Sequence, residues 1–465
     1  MKLPLAMILV ATAWAQPIKL HPDNPRYFLF QGRPTVLITS GEHYGAVLNR
    51  DFDYVRYLDT LRMDRLNLAR VFSGSYREVG GNFGIASNTL APAPGKFVAP
   101  WQQRDGKFDL TKWDDAYFTR LKDFLTQASK AGVVVEFVLF CPLYEDSMWS
   151  VSPMNARNNV NGIGDIGRTE VLALKDSRLT EVQLAMVRKI VSELRDFDNL
   201  YYEICNEPYF GGVTAEWQQQ VARAIVDTEA AFPKKHLIAQ NWANGSSVVE
   251  PANPLVGLFN FHYSRPPASV AMNAKLNRAI GNNETGFDGS ADATYRVQGW
   301  DFLMAGGALY NNLDYSFTVG HEDGSFVPPA STPGGGSATL RQQLRHLADF
   351  FKEIPFVSMR PAAEGTVRGP EGMSVRAREE PGNVYAIYAH HGRSMKGAKP
   401  QYQVDATTAS RELVLRLPRG KYVAQWRDTH TGKDTKVEQF EVTVEEFKLA
   451  SPIYAEDIAL QVRVR

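Results

Sequence analysis

The sequence lacks features that mark several classes of protein. Among its 465 residues it has only two cysteines, Cys141 and Cys205. Two cysteines cannot make a disulfide scaffold, and both a single disulfide and two free thiols stay open as alternatives. Neither cysteine stands at a metal-ligand spacing, and we predict no metal and no cofactor. Lysine plus arginine (51) equals aspartate plus glutamate (51), so no net positive charge favours nucleic acid or an acidic membrane surface as the main partner.

Long hydrophobic runs are also missing beyond the N-terminus. No later run reaches the roughly 20 apolar residues of a membrane-spanning helix, so we predict no membrane span. Residues 1–15 differ, because Lys2 is followed by a mostly apolar stretch and then by Ala13-Trp14-Ala15, a small-x-small cleavage pattern. This order predicts a signal peptide over residues 1–15 and a secreted or periplasmic mature protein, with a buried first strand or helix as the alternative.

Between about residues 34 and 356, short apolar runs alternate with amphipathic helical stretches. Leu66–Phe72, Val133–Phe140 and Leu200–Cys205 are three of the predicted strands. Eight such strand–helix units favour a (β/α)8 (TIM) barrel over an open doubly wound sheet. A Gly-x-Gly-x-x-Gly motif does not follow the first strand, which argues against a dinucleotide site. We expect a hairpin over residues 18–30 at the bottom of the barrel, so that the barrel domain spans 16–356.

After about residue 357 the pattern changes to period two. Met373–Arg378 and Val384–Tyr388 alternate in this way, and Pro418-Arg419-Gly420 and His430-Thr431-Gly432 are typical of turns. Period-two runs separated by turns predict antiparallel strands. We therefore expect a C-terminal antiparallel β-sandwich over residues 357–465. The predicted fold class is α/β, a barrel with a sandwich attached.

Two glutamates follow predicted barrel strands at the end where barrel enzymes place their active sites. The fourth strand runs into Cys205-Asn206-Glu207-Pro208, and the seventh ends at Asn283-Glu284. Glu207 and Glu284 would therefore face each other across the barrel mouth. Two carboxylates about 5 Å apart are what a retaining glycosidase needs, because one protonates the leaving oxygen while the other attacks the anomeric carbon.

The segment Tyr202–Pro208 resembles the Asn-Glu-Pro signature of the retaining (β/α)8 glycoside hydrolases, a superfamily that includes the family 5 cellulases and mannanases. The resemblance covers most of residues 34–356. It implies that Glu207 is the acid/base and that Glu284 is the nucleophile. It also implies that Asn206 hydrogen-bonds the sugar 2-hydroxyl.

Three more residues take their expected roles from the same resemblance. Arg70 matches the second-strand arginine that supports the nucleophile, and His262-Tyr263 stand where the family often has histidine and tyrosine on the sixth strand. From the residues alone, Arg70 could equally be a structural partner of a buried carboxylate such as Glu203, and His262 a satisfied core histidine. The third strand ends at Cys141, where the family often has histidine, so substrate specificity is not implied.

Further candidates for substrate contact lie in the loops that follow the strands. Glu42 and His43 come directly after the first strand. Trp149 and Trp242 lie in or near later strand-end loops, as do Trp101, Tyr44 and Tyr144. Aromatic faces stack on sugar rings, but packing within the protein is the alternative for each of them. Arginines also lie in mouth loops and favour, weakly, a uronic acid carboxylate as ligand; they are Arg77, Arg104 and Arg265.

Three long loops follow the second, third and eighth strands, over residues 73–109, 141–176 and 316–337. Loops of this length in a compact domain are usually functional. They favour a pocket or short cleft, with contacts to the sandwich or to another subunit as the alternative. The sequence thus predicts a secreted retaining hydrolase of β-glycosidic bonds with an oligo- or polysaccharide as its partner. The alternatives are a non-catalytic carbohydrate-binding protein on a decayed barrel and a metal-dependent barrel hydrolase.

Overall fold

The computed structural model describes residues 16–465, and the predicted signal peptide at 1–15 lies outside these residues. The described chain begins with a three-stranded antiparallel sheet of β1 (Lys19–Leu20), β2 (Phe28–Phe30) and β3 (Arg33–Thr35). The Ile18 amide donates a 2.9 Å hydrogen bond to the carbonyl of Asp198. Because Asp198 immediately precedes a barrel strand, the small sheet lies at the bottom of the barrel, away from the carboxyl ends of the strands.

Eight parallel strands form the barrel sheet. The first two are β4 (Leu37–Gly41) and β5 (Leu68–Phe72), and a hairpin of β6 (Trp101–Arg104) and β7 (Lys107–Trp113) lies in the loop after β5. The other six are β8 (Val134–Phe140), β9 (Leu200–Cys205), β10 (Ile238–Asn244), β11 (Leu258–His262), β12 (Ala279–Glu284) and β13 (Leu309–Leu313). They pair in the order β4-β13-β12-β11-β10-β9-β8-β5.

Asn67 joins the two ends of this sheet. Its backbone amide donates to the carbonyl of Ile38 over 3.1 Å, and its side-chain oxygen accepts from the amide of Ile38 over 2.8 Å. Its side-chain nitrogen donates to the carbonyl of Val36. One asparagine therefore replaces part of a strand ladder between β4 and β5. The (β/α)8 prediction is confirmed.

The helices surround the barrel and begin mostly at capping side chains. They are α1 (Tyr54–Met63), α2 (Asp115–Ala131), α3 (Asp146–Val151), α4 (Ser177–Leu194), α5 (Ala215–Glu229), α6 (Ala268–Met272), α7 (Asp292–Met304) and α8 (Ala338–Glu353). For example, the Asp114 carboxylate accepts hydrogen bonds from two amides of the first turn of α2, and Gly132 ends that helix with φ 73°. Within the described chain, residues 245–257 connect β10 to β11 without a helix.

The C-terminal strands form two facing antiparallel sheets. They are β14 (Arg360–Pro361), β15 (Val367–Arg368), β16 (Ser374–Glu380), β17 (Val384–His390), β18 (Gly392–Ser394), β19 (Tyr402–Val404), β20 (Glu412–Leu415), β21 (Gly420–Arg427), β22 (Asp434–Val442), β23 (Phe447–Ala450) and β24 (Asp457–Val464). Six of them form one sheet, in the order β14-β16-β17-β24-β21-β22, and β15-β20-β23 form the other, while β18 and β19 pair as a separate two-stranded sheet. Buried apolar side chains between the sheets, such as Ile387, Leu415 and Trp426, form a separate core. The sandwich prediction is confirmed.

Buried ion pairs attach the sandwich to helix α7 of the barrel. The Arg296 guanidinium lies 2.7 Å from Asp457 and 2.6 Å from Glu456. Beside this group the rings of Trp300 and Tyr388 stack with centroids 5.3 Å apart. A buried charge is costly unless it is paired, and Arg296 finds its two carboxylate partners only when the two domains are in contact. The sandwich is therefore held in one orientation on the barrel.

Two further expectations concern the cysteines and the membrane. Cys141 and Cys205 are both free and buried, which decides between the two alternatives left open by the sequence. Within residues 16–465, no helix is long and apolar enough to cross a membrane.

Candidate active site

Three residues that lie one to three positions beyond the ends of barrel strands have backbone conformations that are rare for residues other than glycine. Tyr44 follows β4, Glu207 follows β9 and Tyr263 follows β11, with φ of 61°, 36° and 51°. Such conformations cost of order 1–3 kcal/mol each and cluster at functional sites. All three residues line one cavity at the carboxyl ends of the strands.

Glu284, the last residue of β12, is the most heavily hydrogen-bonded carboxylate of the cavity. The Tyr263 hydroxyl donates to its Oε1 over 2.6 Å, and the Tyr44 hydroxyl donates to its Oε2 over 2.9 Å. Arg70 donates to Oε2 over 3.3 Å, and His262 Nδ1 lies 3.3 Å from Oε1. Burial alone would raise the pKa of Glu284, but His262, Arg70 and Tyr263 together hold this pKa well below its usual range. Glu284 is therefore an ionised carboxylate at neutral pH.

His262 lies between the two glutamates. Its Nδ1 is 3.2 Å from Glu207 Oε1 and 3.3 Å from Glu284 Oε1. Burial opposes its protonation, and its Nε2 finds no hydrogen-bond partner in the described part of the chain. The two carboxylates outweigh both effects and raise the pKa of His262 to about 9. A buried imidazolium thus neutralises part of the charge of the glutamate pair.

Glu207 has different neighbours from Glu284. The Tyr144 hydroxyl donates to its Oε2 over 2.7 Å. The Tyr209 hydroxyl lies 3.2 Å from its Oε1 and 2.5 Å from Asn244 Oδ1, and its single proton can be given to only one of them. Arg70, which donates to Glu284, gives no hydrogen bond to Glu207 in the described structure. The two carboxylates therefore sit in unequal fields, which is how paired carboxylates acquire separate acid and base roles.

The two carboxylates are close enough to act on one bond. One oxygen of Glu207, one oxygen of Glu284 and a ring nitrogen of His262 all lie within 4.8 Å of one another. Both glutamates line the same cavity. Asn206 connects them, because its Oδ1 accepts from Arg70 over 2.7 Å and its Nδ2 donates to the Tyr144 hydroxyl over 2.8 Å.

Beneath the glutamate pair, the barrel interior contains a second pair of carboxylates. Arg70 donates to Glu203 over 2.5 Å, and its Nε lies 3.8 Å from Glu136. Glu136 and Glu203 hydrogen-bond each other, and the amides of Asn260 and Asn283 donate to both. Burial and the neighbouring Glu203 raise the pKa of Glu136 well above its usual range. Burial acts the same way on Glu203, but Arg70 lowers the pKa of Glu203 overall. Glu136 is thus the protonated member of the pair.

The cavity has a volume of about 1340 Å³. All three long loops that the sequence singled out contribute to its wall. Its lining includes Glu78, Phe83 and Leu90 after β5, Cys141 and Tyr144 after β8, and residues 330–333 after β13. Phe83, Phe210 and Phe287 on this wall are 40%, 44% and 38% exposed, which leaves aromatic faces available to a ligand. The sandwich also contributes, through residues between β18 and β19.

A polar pair lies on the wall formed by the loops after β4 and β5. His43 Nε2 is 3.8 Å from Glu78 Oε1, and both residues line the cavity. The hydroxyl of Tyr76 and the amide of Asn88 donate to the Glu78 carboxylate. Within residues 16–465, Nδ1 of His43 is buried and has no hydrogen-bond partner. Buried polar atoms without a partner are uncommon in folded proteins.

Three predicted substrate contacts are placed elsewhere by the fold. Glu42 is buried, and its carboxylate accepts hydrogen bonds from the amides of Gly45 and Ala46 and from Thr89. It stabilises its own loop, and burial raises its pKa to about 7. Trp149 and Trp242 donate their indole hydrogens to backbone carbonyls, and neither lines the cavity. The structure therefore does not bring these three residues to the cavity with the other predicted residues.

The other predicted residues converge on the cavity or lie directly beneath it. Asn206, Glu207, Tyr263, Glu284 and His43 line it. Arg70 and His262 are buried below it and contact the glutamates. Both alternatives for Arg70 hold, since it pairs with Glu203 and also donates to Glu284.

Sequence reasoning missed part of the hydrogen-bonding around the pair. Tyr44 and Tyr144 were two of five aromatic candidates for stacking on sugar or for packing, and the structure shows that their hydroxyls donate to Glu284 and Glu207. Tyr209 and Glu78 were not singled out. The only available signal for Tyr209 was its position directly after Glu207-Pro208, and Glu78 gave none within its long loop.

Glu207, His262 and Glu284 also have the geometry of a three-ligand metal group. The lone pairs that a metal would use already accept hydrogen bonds at Glu284, and the His262 pKa of about 9 keeps a proton on its ring at neutral pH. Arg70 adds a positive charge 3.3 Å from Glu284. The residues therefore fit hydrogen-bonded carboxylates better than a cation site.

Comparison with solved structures gives the same architecture. A candidate glycoside hydrolase from Bacteroides vulgatus ATCC 8482 superposes with a TM-score of 0.67 at 14% identity, covering 97% of this chain and 83% of that one. A glycoside hydrolase family 5 protein from the same organism has a TM-score of 0.64 at 13% identity, covering 96% and 94%. An endo-β-1,4-mannanase from Thermotoga petrophila has a TM-score of 0.51 at 14% identity, covering 92% and 98%.

These identities establish the shared fold and nothing finer. No protein-family model matches the chain, and no curated protein matches it in sequence.

Proposed function

We propose that the protein is a retaining glycoside hydrolase that cleaves β-glycosidic bonds of an oligo- or polysaccharide. The observation that carries the proposal is the pair Glu207 and Glu284, whose oxygens lie within 4.8 Å in one cavity and have unequal neighbours. Retaining enzymes have carboxyl groups roughly 5 Å apart, whereas inverting enzymes need about 6.5–9.5 Å to admit a water. The structural neighbours, described as glycoside hydrolases and a mannanase, support the same class.

In the first step, Glu284 attacks the anomeric carbon while Glu207 gives its proton to the departing oxygen. Tyr44, Tyr263 and Arg70 keep Glu284 ionised and fix its orientation. The glycosidic C–O bond breaks as an ester bond forms to Glu284, and the leaving sugar departs as an alcohol. The asymmetry of the two environments supports Glu284 at the end of β12 as the nucleophile and Glu207 in the loop after β9 as the acid.

In the second step, Glu207 is left as a carboxylate and acts as the base. It takes a proton from water, the water oxygen attacks the anomeric carbon, and the ester to Glu284 breaks. Tyr144 donates to Glu207 and accepts from Asn206, so its hydroxyl holds the carboxylate of Glu207 in place through both steps. Two inversions at the anomeric carbon give overall retention.

We also propose that residues 1–15 direct export and are removed. The support is the sequence pattern of this segment, with its small-x-small motif before Gln16. N-terminal sequencing of protein recovered from the medium or periplasm tests this, and a mature chain that begins at Gln16 is expected. Recovery of the full-length chain from the cytoplasm alone would contradict export.

The proposed activity is tested by the stereochemistry and by the trapped residue. Proton NMR of a fresh reaction with an aryl β-glycoside should show the β-anomer of the sugar first, before mutarotation. A 2-deoxy-2-fluoro glycoside with a good leaving group should inactivate the enzyme, and peptide mass spectrometry should find the label on Glu284. Glu284→Gln is the matched control and should take no label. Sugar binding without turnover of any glycoside would favour the non-catalytic alternative.

A further inference from the structure

We propose that the β18–β19 connection of the sandwich, residues 394–401, forms a subsite of the active-site cavity for a negatively charged saccharide unit bearing a carboxylate or a sulfate. This inference rests on the proposed function, because it names the class of substrate that the same cavity takes. The juxtaposition that carries it is a pair of lysines from the sandwich on the wall of the cavity that contains Glu207 and Glu284.

The connection belongs to the cavity although it comes from another domain. Ser394, Met395, Lys396, Lys399, Pro400 and Gln401 all line the cavity together with the two glutamates. The sandwich is thus part of the substrate-binding surface. A separate module on a flexible linker could not contribute a wall at a fixed position.

Contacts with the barrel fix the position of this connection. The Ser394 hydroxyl donates to the carbonyl of Arg265 over 3.0 Å, in the loop that follows Tyr263. A side-chain carbon at Gly289 would lie 3.5 Å from Pro400, so the loop after β12 packs directly on the connection. Within it, the amide of Met395 donates to the carbonyl of Gln401 over 2.7 Å. The ion pairs of Arg296 hold the domain behind it.

The charge of this wall is not compensated by the protein. Lys396 and Lys399 are exposed, and neither forms an ion pair with any residue between 16 and 465. Arg265 lines the same cavity, but Asp288 lies 2.5 Å from its guanidinium and offsets its charge. Two exposed lysines without an ion-pair partner among residues 16–465 therefore belong to the cavity wall on the sandwich side, where their charge favours an anionic ligand over a neutral one.

The two glutamates of the cavity do not need the lysines as cationic partners. Glu284 already has His262 and Arg70 as its cationic neighbours, and both are buried below the surface. The lysines are thus available to a group on the substrate. Met395 and Phe287 on the same side are each 38% exposed and offer apolar area to the sugar ring that bears the charge.

The proposed anion-binding position differs from the one predicted from the sequence, which rested on arginines in the loops after the barrel strands. Arg77 and Arg104 do not line the cavity. Arg77 packs over Phe97, and Arg104 pairs with Asp105 at the surface. The candidate residues for binding an anion are therefore the two lysines of the sandwich, and Arg77 and Arg104 of the barrel loops are not.

The test compares Lys396→Gln/Lys399→Gln with Lys421→Gln/Lys433→Gln, which removes the same two charges from the sandwich away from the cavity. Mobility of the full-length protein is measured in native gels that contain polygalacturonate, a sulfated galactan or an uncharged galactan. A second measurement is kcat/KM on a uronic-acid oligosaccharide and on its carboxyl-reduced counterpart. Both are repeated at 50 and 500 mM NaCl.

We expect one anionic polymer to retard the wild-type protein, and the cavity variant to need at least about 10-fold more of it. The control variant and the neutral polymer should show no such change, and salt should weaken the effect. Retardation by polygalacturonate would indicate a carboxylate ligand, and retardation by the sulfated galactan would indicate a sulfate ligand. Equal behaviour of the cavity and control variants with both anions would overturn the inference.

The gel measurement needs no turnover. The proposed hydrolase activity and the proposed anionic subsite can therefore be contradicted independently of each other. If wild type hydrolyses neutral glycosides and the lysines change nothing, the anionic subsite is wrong and the hydrolase stands. If wild type binds the anionic polymer through the lysines but turns over no glycoside, the subsite stands and the proposed activity is wrong. Lys396→Arg/Lys399→Arg should keep wild-type retardation, which separates loss of charge from a disturbed loop.

Discussion

The Tyr44 hydroxyl donates a 2.9 Å hydrogen bond to Oε2 of Glu284, although 240 residues separate the two in the chain. The same tyrosine ring lies under Arg70, with the guanidinium carbon 4.4 Å from the ring centroid. Tyr44 therefore contacts both the carboxylate and the cation that balances it. The loop after the first barrel strand thus takes part in setting the charge of a residue on the seventh.

Replacing Tyr44 with phenylalanine removes this donor and keeps the ring over Arg70. A carboxylate that loses a hydrogen-bond donor has a higher pKa, and the nucleophile must be ionised to attack. We expect the acid limb of the kcat/KM profile to move to higher pH, and kcat/KM at pH 7 to fall roughly 10- to 100-fold, as for a hydrogen bond to a charged group. The measurement is kcat/KM against pH on an aryl glycoside.

The control for this variant is Tyr117→Phe. The Tyr117 hydroxyl is buried and bonds the carbonyl of Ser73, so it touches no carboxylate. Its pH profile should keep the wild-type shape. An acid limb that stays in place in Tyr44→Phe would show that the other donors suffice to keep Glu284 ionised.

The buried pair Glu136 and Glu203 should respond unequally to the same substitution. Glu136→Gln replaces a protonated acid by a neutral amide that can still donate to Glu203, so we expect a loss of stability of about 1 kcal/mol or less. Glu203→Gln leaves the buried Arg70 without its closest carboxylate and should cost about 3–5 kcal/mol. Urea denaturation at pH 7 measures both. A loss for Glu136→Gln that equals or exceeds the loss for Glu203→Gln would contradict the assignment of the proton to Glu136.

The fold was largely predictable because each barrel strand is a short apolar run. The strand over Leu200–Cys205 matches its predicted bounds, and the strands predicted over Leu66–Phe72 and Val133–Phe140 begin one or two residues later, at Leu68 and Val134. Polar residues give no such signal, and β10 continues through them to Asn244.

The glutamate pair was also predictable from strand ends, since parallel strands bring those ends together whatever lies between them. Its donors were not. Tyr44 and Tyr144 each lie in a loop that contains other aromatic residues. Only the path of the loop decides whether the ring or the hydroxyl of such a tyrosine reaches the cavity. Glu42 is the opposite case. It follows a strand and was expected at the cavity, but its carboxylate accepts hydrogen bonds from amides of its own loop.

His262 should make the stability of the protein depend on pH on the alkaline side. Its pKa is raised to about 9 in the folded state from an ordinary value near 6.5. A raised pKa contributes stability that is complete below the unfolded value and is lost as the pH rises through the folded value. Glu284 stays ionised throughout this range and adds nothing to the change.

The measurement is urea denaturation of wild type and of His262→Gln at pH 6, 7.5 and 9.5. The advantage of wild type over the variant in free energy of unfolding should shrink by about 3 kcal/mol between pH 6 and pH values above 9. A difference that stays constant or grows with pH would show that the ring is neutral between the two glutamates.

The two catalytic roles are distinguished by removing each carboxylate in turn. Glu284→Ala should abolish nearly all turnover, because no glycosyl ester can form without the nucleophile. Glu207→Ala should still form the ester from substrates with a good leaving group, which need little acid help, but should hydrolyse it slowly because the base is missing.

Azide is a small nucleophile that needs no base. It should therefore speed the second step of Glu207→Ala by attacking the ester on the face that water uses, and the product should be a glycosyl azide of retained configuration. Product configuration is read by NMR. An inverted azide from Glu207→Ala, or a retained azide seen only with Glu284→Ala, would mean that the acid and the nucleophile are exchanged or that the reaction is not a double displacement.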